Sequence, residues 1–158
     1  MLADFLLTVL YTQVVVHVSG LERPGLLWTD EHVDQGFAWS EGIASFGVPD
    51  HDGQVRVRVS SVEPYELEGD VLWAVKTPFD VPTAPLQIGT IANMRAVDVP
   101  AGRYDLVLEA RDGSDEGEDV AFVLDLKFVP SDEPSFAILK QGEELATDEV
   151  LRRDAEHG

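Results

Sequence analysis

Hydrophobic residues recur at every second position through much of the chain. In Gln54–Val62, Val55, Val57 and Val59 share one face while Arg56, Arg58 and Ser60 share the other. In Arg103–Arg111, Tyr104, Leu106, Leu108 and Ala110 oppose Arg103, Asp105, Glu109 and Arg111. In Val120–Val129, Phe122, Leu124, Leu126 and Phe128 alternate with Asp125 and Lys127. A period of two marks a strand with one face buried and one face wet, the usual state of an antiparallel sheet. Less regular strands are expected at Phe37–Phe46, Val71–Val75, Leu86–Ala92 and Phe136–Leu139, and the β-branched run Met1–Val18 reads as one long strand.

Turn chemistry separates these runs. Pro49-Asp50-His51-Asp52-Gly53, Glu68-Gly69-Asp70, Pro100-Ala101-Gly102 and Asp112-Gly113 supply the residues that reverse a chain. Many short strands must cover their apolar faces with a second layer, so the pattern predicts an all-β fold, an antiparallel β-sandwich. Helix is confined to two places. Asp30–Gln35 can form a short helix after the first strand, with Thr29 as N-cap and Glu31 in its first turn. Glu143–Glu156 carries Asp148/Arg152 and Glu149/Arg153 at i,i+4, and predicts a C-terminal helix. The expected division is a sandwich domain over 1–141 and a helix or tail over 142–158.

Charge changes the picture more than any other property. Thirty Asp and Glu face eleven Lys and Arg across 158 residues, a formal charge of -19. Such a surface repels nucleic acid and anionic membrane and attracts basic proteins or cations. It also keeps a protein soluble and can reflect the composition of a whole proteome, so charge alone selects no partner. With 44% hydrophobic residues the chain is too apolar for a disordered acidic tail. The absence of cysteine excludes disulfides, thiolate zinc sites and a cysteine nucleophile, and fits a cytoplasmic protein. Met1–Val18 lacks a basic start and is interrupted by Thr8, Tyr11, Thr12, Gln13 and His17, so neither a signal peptide nor a membrane span is expected.

The search for chemistry yields little. Gly42-Ile43-Ala44-Ser45-Phe46-Gly47 has the spacing G-x-x-S-x-G, which is not a nucleophile elbow. The acidic stretch Asp112–Asp119 has Gly117 where a calcium loop needs glycine, but Val123 stands where the bidentate Glu belongs. It reads as an exposed hairpin loop, with an irregular cation site as the other possibility. Asp50-His51-Asp52 has the composition of a turn, and His17, His32, His51 and His157 are scattered. No catalytic residue, cofactor or metal is expected, and the chain is not expected to be an enzyme.

One stretch resembles a known family. Trp28-Thr29-Asp30-Glu31, the step Gly36-Phe37-Ala38 and the ending Gly42-Ile43-Ala44-Ser45-Phe46 are similar to the competence protein J family. Thr77-Pro78-Phe79 followed by Val81, and then Pro100, Gly102, Tyr104 and Leu106, follow in the family's order. The resemblance runs from Trp28 to Val129 and leaves the tail from Pro130 without a counterpart. It implies an inhibitor of the DNA-entry nuclease of competent bacteria. The expectation is therefore an acidic protein that binds and neutralises a basic nuclease or nuclease-like toxin, without itself contacting nucleic acid. Candidate partner-binding residues are Asp30, Glu31, Trp39 and Glu41, with Asp115, Glu116, Glu118 and Asp119 as a second patch. The competing expectations are a cation- or carbohydrate-binding sandwich module and an acidic protein whose charge reflects only its host.

Overall fold

A computed structural model describes residues 2–8, 13–20, 25–48, 54–67, 69–90, 93–113, 120–142, 145, 147 and 150–155. The strands are β1 (Ala3–Leu7), β2 (Gln13–Val18), β3 (Phe37–Ser40), β4 (Ile43–Gly47), β5 (Gln54–Ser61), β6 (Trp73–Val81), β7 (Leu86–Thr90), β8 (Asn93–Val97), β9 (Gly102–Asp112), β10 (Val120–Pro130) and β11 (Ala137–Lys140). A single short helix, α1 (Asp30–Gln35), is found among the described residues. None of their helices is long and apolar enough to cross a membrane.

The strands form two sheets, β1-β5-β10-β9-β6-β11 (sheet A) and β3-β4-β2-β7-β8 (sheet B). One apolar cluster joins them. Val14, Val16, Phe37, Phe46, Leu86 and Ile88 come from sheet B, and Val55, Val57, Trp73, Leu108, Leu124 and Phe128 from sheet A. The alternation read in β5, β9 and β10 points its apolar residues into this cluster. Each fully buried Leu, Val or Phe contributes about 1.5–3 kcal/mol of transfer free energy, which is why the pattern and not any one contact dictates the layers. Pairing is antiparallel except between β5 and β10, which run parallel, so the sheet is mixed where an antiparallel one was expected.

Three further expectations are corrected. The N-terminal run is two strands in different sheets: β1 pairs β5, and β2 pairs β4 and β7. Ala3–Leu7 alternates exposed Asp4 and Leu6 with buried Phe5 and Leu7, whereas Val14–Val16 are buried on both faces. A continuous apolar run carries no mark of where one environment gives way to the other. The helix α1 accordingly follows the second strand. Phe37–Phe46 is a hairpin of β3 and β4, turned at Glu41-Gly42, where Gly42 takes φ 82.

The third correction is the C-terminal helix. The described residues there, Leu145, Thr147 and Val150–Ala155, are not helical. Their backbone groups bond instead to α1. Gln35 Oε1 accepts from the amides of Leu151 and Arg152, each at 2.9 Å, and Gln35 Nε2 donates to the Arg152 carbonyl at 2.7 Å. Asp148 and Glu149, half of the expected i,i+4 pairs, lie outside the described residues, and Arg152 pairs with Asp154 at 3.2 Å.

Candidate functional site

Seven of the eleven basic residues stand on sheet A strands: Arg56, Arg58, Lys76, Arg103, Arg111, Lys127 and Lys140. The strand register sets all but Lys140 beside carboxylates on the face turned away from the core. Arg56 holds Asp4 through two bonds at 2.7 and 2.5 Å, and Arg58 holds Asp125 at 2.7 and 2.9 Å. Arg111 also reaches Asp125 and approaches Glu109 at 3.2 Å. Glu109 is fully buried and accepts from Lys127 Nζ at 2.7 Å and from the Tyr65 hydroxyl at 2.6 Å. Burial alone would raise the Glu109 carboxyl; the bonds from Lys127 and Tyr65 and the charges of Lys127 and Arg111 outweigh it and hold it below the ordinary glutamate value. The bond from Arg56 likewise holds Asp4 below the usual aspartate value. Lys76 and Asp105 are 3.8 Å apart, and Lys140 bonds the Gly69 carbonyl at 3.3 Å. This face is close to charge-balanced, so the acidic surplus belongs elsewhere.

A cleft of about 860 Å³ opens where the β3–β4 turn meets the end of β6 and the start of β9. Trp39 and Glu41 line it together with Pro78, Asp80, Pro82, Arg103 and Pro134. The Trp39 indole N–H donates to the Pro78 carbonyl at 2.7 Å, and the ring meets Phe136 edge to face at 5.2 Å. These contacts leave Trp39 half-buried with its position fixed, while Glu41 is exposed at the hairpin turn. Asp80 and Arg103, which also line the cleft, pair at 3.6 Å, both largely in solvent.

Asp30 and Glu31 are exposed on α1, at the other end of β3 from Glu41. Thr29 caps the helix as expected, but its reciprocal partner is His32 rather than a glutamate. Thr29 N donates to His32 Nδ1 at 2.9 Å, and the His32 amide is aimed back at Thr29 Oγ1 at 3.5 Å. The ring proton then lies on Nε2 and donates to the Asp154 carbonyl at 2.7 Å. Asp115, Glu116, Glu118 and Asp119 lie outside the described residues. The strand ends flanking them, Asp112 and Val120, are about 30 Å along β9 from Arg103 at the cleft. Of the sequence-predicted residues that are described, Trp39 and Glu41 share the cleft, while Asp30 and Glu31 stand apart from it on α1. Asp80 and Arg103 went unnamed because nothing local distinguishes an alternating strand acid that faces a cleft from one that faces water. Among the described residues no group of three His, Asp or Glu side chains could hold a metal ion, and Asp50, His51 and Asp52 are not among them.

Comparison with known proteins adds a decisive observation. The family model of competence protein J matches residues 6–129. The chain belongs to that family. No curated protein matches it in sequence. Among solved structures it is similar to ComJ of Bacillus subtilis, described as an inhibitor of the DNA-degrading activity of NucA, at 22% identity and TM-score 0.67, over 82% of this chain and 96% of that one. It is also similar to a protein described as crocagin biosynthetic gene J, at 18% identity and TM-score 0.52, over 83% of this chain and 97% of that one.

Within the competence protein J match, the residues that carried the resemblance are mostly packing residues. Phe37 and Phe46 are fully buried, and Gly36 takes φ 84 to end α1. Tyr104 is buried, with its hydroxyl on the Pro100 carbonyl at 2.7 Å. Trp28 meets His32 edge to face at 6.2 Å. The match ends inside β10, so β11 and the tail lie beyond it. The cleft takes Trp39, Glu41, Asp80 and Arg103 from the matched span and Pro134 from outside it.

Proposed function

We propose that this chain is a protein inhibitor that binds a basic nuclease, or a nuclease-like toxin, and silences it. The observation that carries the reading is membership of the competence protein J family. The distribution of charge supports it. Most cations are engaged on the sheet A strands, so the excess behind the net charge of -19 comes from residues outside those strands. A nucleic-acid enzyme offers a positive groove, and an acidic inhibitor can fill it in place of phosphates.

Asp30 and Glu31, the cleft residues Trp39 and Glu41, and the loop acids Asp115, Glu116, Glu118 and Asp119 are the proposed contact residues. The first two groups sit at opposite ends of β3, within the span of a single interface, because a stable protein–protein contact covers about 800 Å² on each partner. The long-range field accelerates encounter, and a few desolvated anchors supply most of the affinity. Immobilised chain exposed to lysate of its own host at low and high salt tests the proposal. A nuclease retained at low salt, inactive on DNA while bound and active once eluted, is the expected result. Retained proteins without DNA-degrading activity at either salt would overturn it.

A further inference from the structure

The cleft beside Trp39 combines three properties that select a ligand chemistry. Its aromatic wall is fixed: the indole N–H is engaged by Pro78 at 2.7 Å and the ring is braced by Phe136, so Trp39 lines the cleft with no free donor. Its sides carry Pro78, Pro82 and Pro134, rigid residues that lose little freedom on contact. Its lining carries two exposed acids, Glu41 and Asp80. Glu41 is exposed and forms no ion pair among the described residues. Asp80 pairs with Arg103 at 3.6 Å, with side chains 78% and 63% exposed, a contact that exchanges readily with solvent or another cation. Asp132 and Glu133, both exposed, immediately precede Pro134, and Ser131 N bonds the Arg103 carbonyl at 3.0 Å, which keeps that turn beside the cleft.

Resting on the inhibitor reading, we propose that this cleft seats an arginine or lysine projecting from a surface loop of the nuclease. The cationic head lies between Glu41 and Asp80, and the alkyl stem lies along Trp39 and the prolines. Guanidinium and ammonium groups favour an aromatic face and form strengthened hydrogen bonds to carboxylates. A phosphate or carboxylate would meet the same rim with repulsion. At about 860 Å³ the cleft is larger than one side chain, so the loop's flanking residues enter with it. Arg103 yields Asp80 to the incoming cation without leaving a buried charge, because both residues are already in water.

The test follows association and affinity of the purified NucA-type nuclease from the same organism, at two salt concentrations. Wild type is compared with Glu41→Gln/Asp80→Asn, with Ala84→Trp, and with Glu66→Gln, an exposed acid on the segment that crosses sheet A. All substituted positions are exposed, so melting temperatures stay near wild type and report any failure to fold. The double variant should bind at least tenfold more weakly, with slower association and a flatter salt dependence. Ala84→Trp, which fills the cleft from its own wall, should also lose at least tenfold, while Glu66→Gln binds as wild type. Wild-type affinity in both cleft variants, with inhibition intact, overturns the cleft assignment and leaves the inhibitor reading standing. A folded wild-type chain that neither binds nor inhibits the nuclease overturns both.

Discussion

Gln35 satisfies four backbone groups at once. Its carbonyl oxygen accepts from Leu151 and Arg152, and its amide donates to the carbonyls of Phe37 at 2.9 Å and Arg152 at 2.7 Å. Such a side chain has no substitute, because removing it strands buried donors and acceptors. Gln35→Ala should destabilise the fold by about 2–3 kcal/mol in denaturant unfolding, and a loss within experimental error would show that water replaces the side chain freely. Glu109 is the other residue on which much depends. Its carboxyl is held below the ordinary value, so the folded state releases this proton more readily than the unfolded chain does. The stability it contributes is complete above the unfolded value of about 4.3 and is lost as pH falls through the lower folded value. Glu109→Gln should cost about 3 kcal/mol at neutral pH by leaving Lys127 and Arg111 without their buried anion, and the gap to wild type should narrow in acid. Parallel pH–stability curves for the two proteins would refute this role.

Beyond β11, the described residues Leu145, Thr147 and Val150–Ala155 adopt no regular structure, and side chains of α1 hold the backbone of Leu151, Arg152 and Asp154. Leu145 enters the main core, and Ala155 packs on the second cluster of Val15, Leu26, Ala38 and Ile43, on the other face of sheet B. Truncation after Gly142 should therefore lower the melting temperature and speed amide exchange in α1; unchanged exchange there would mean that the tail only rests on the surface. This tail also marks the limit of reading elements from sequence. Its charge pairs at i,i+4 favour a helix locally, yet Gln35 and His32 offer its backbone alternative partners more than a hundred residues away in sequence. The strands β5, β9 and β10 were legible because the core takes one of their faces and ion pairs the other. β8 was not, since an edge strand reading Asn93-Met94-Arg95-Ala96-Val97 buries only Val97. The cleft was legible in part. Trp39 and Glu41 are candidate contact residues from the sequence alone, but Asp80 and Arg103 become neighbours only through the β6–β9 pairing.

Across the whole molecule, charge is sorted. The face of sheet A turned from the core gathers cations and matches them, while sheet B strands contain one basic residue, Arg95, and no acidic one. Among the described residues, acids on the sheet A strands match these cations, and the remaining acids stand on α1 and between or after the strands. Replacing Asp115, Glu116, Glu118 and Asp119 by Asn and Gln should slow association with the nuclease several-fold at low salt and reduce its salt dependence, with little effect on melting. Association kinetics identical to wild type at every salt concentration would remove that loop from the interface. The central claim, nuclease inhibition, is tested most directly by titrating the purified chain into a fixed amount of the NucA-type nuclease from its own host and following DNA degradation. The account predicts a fall in activity that reaches its floor near equal molar amounts at low salt and is relieved by high salt. Undiminished degradation in a large excess of folded chain would contradict it.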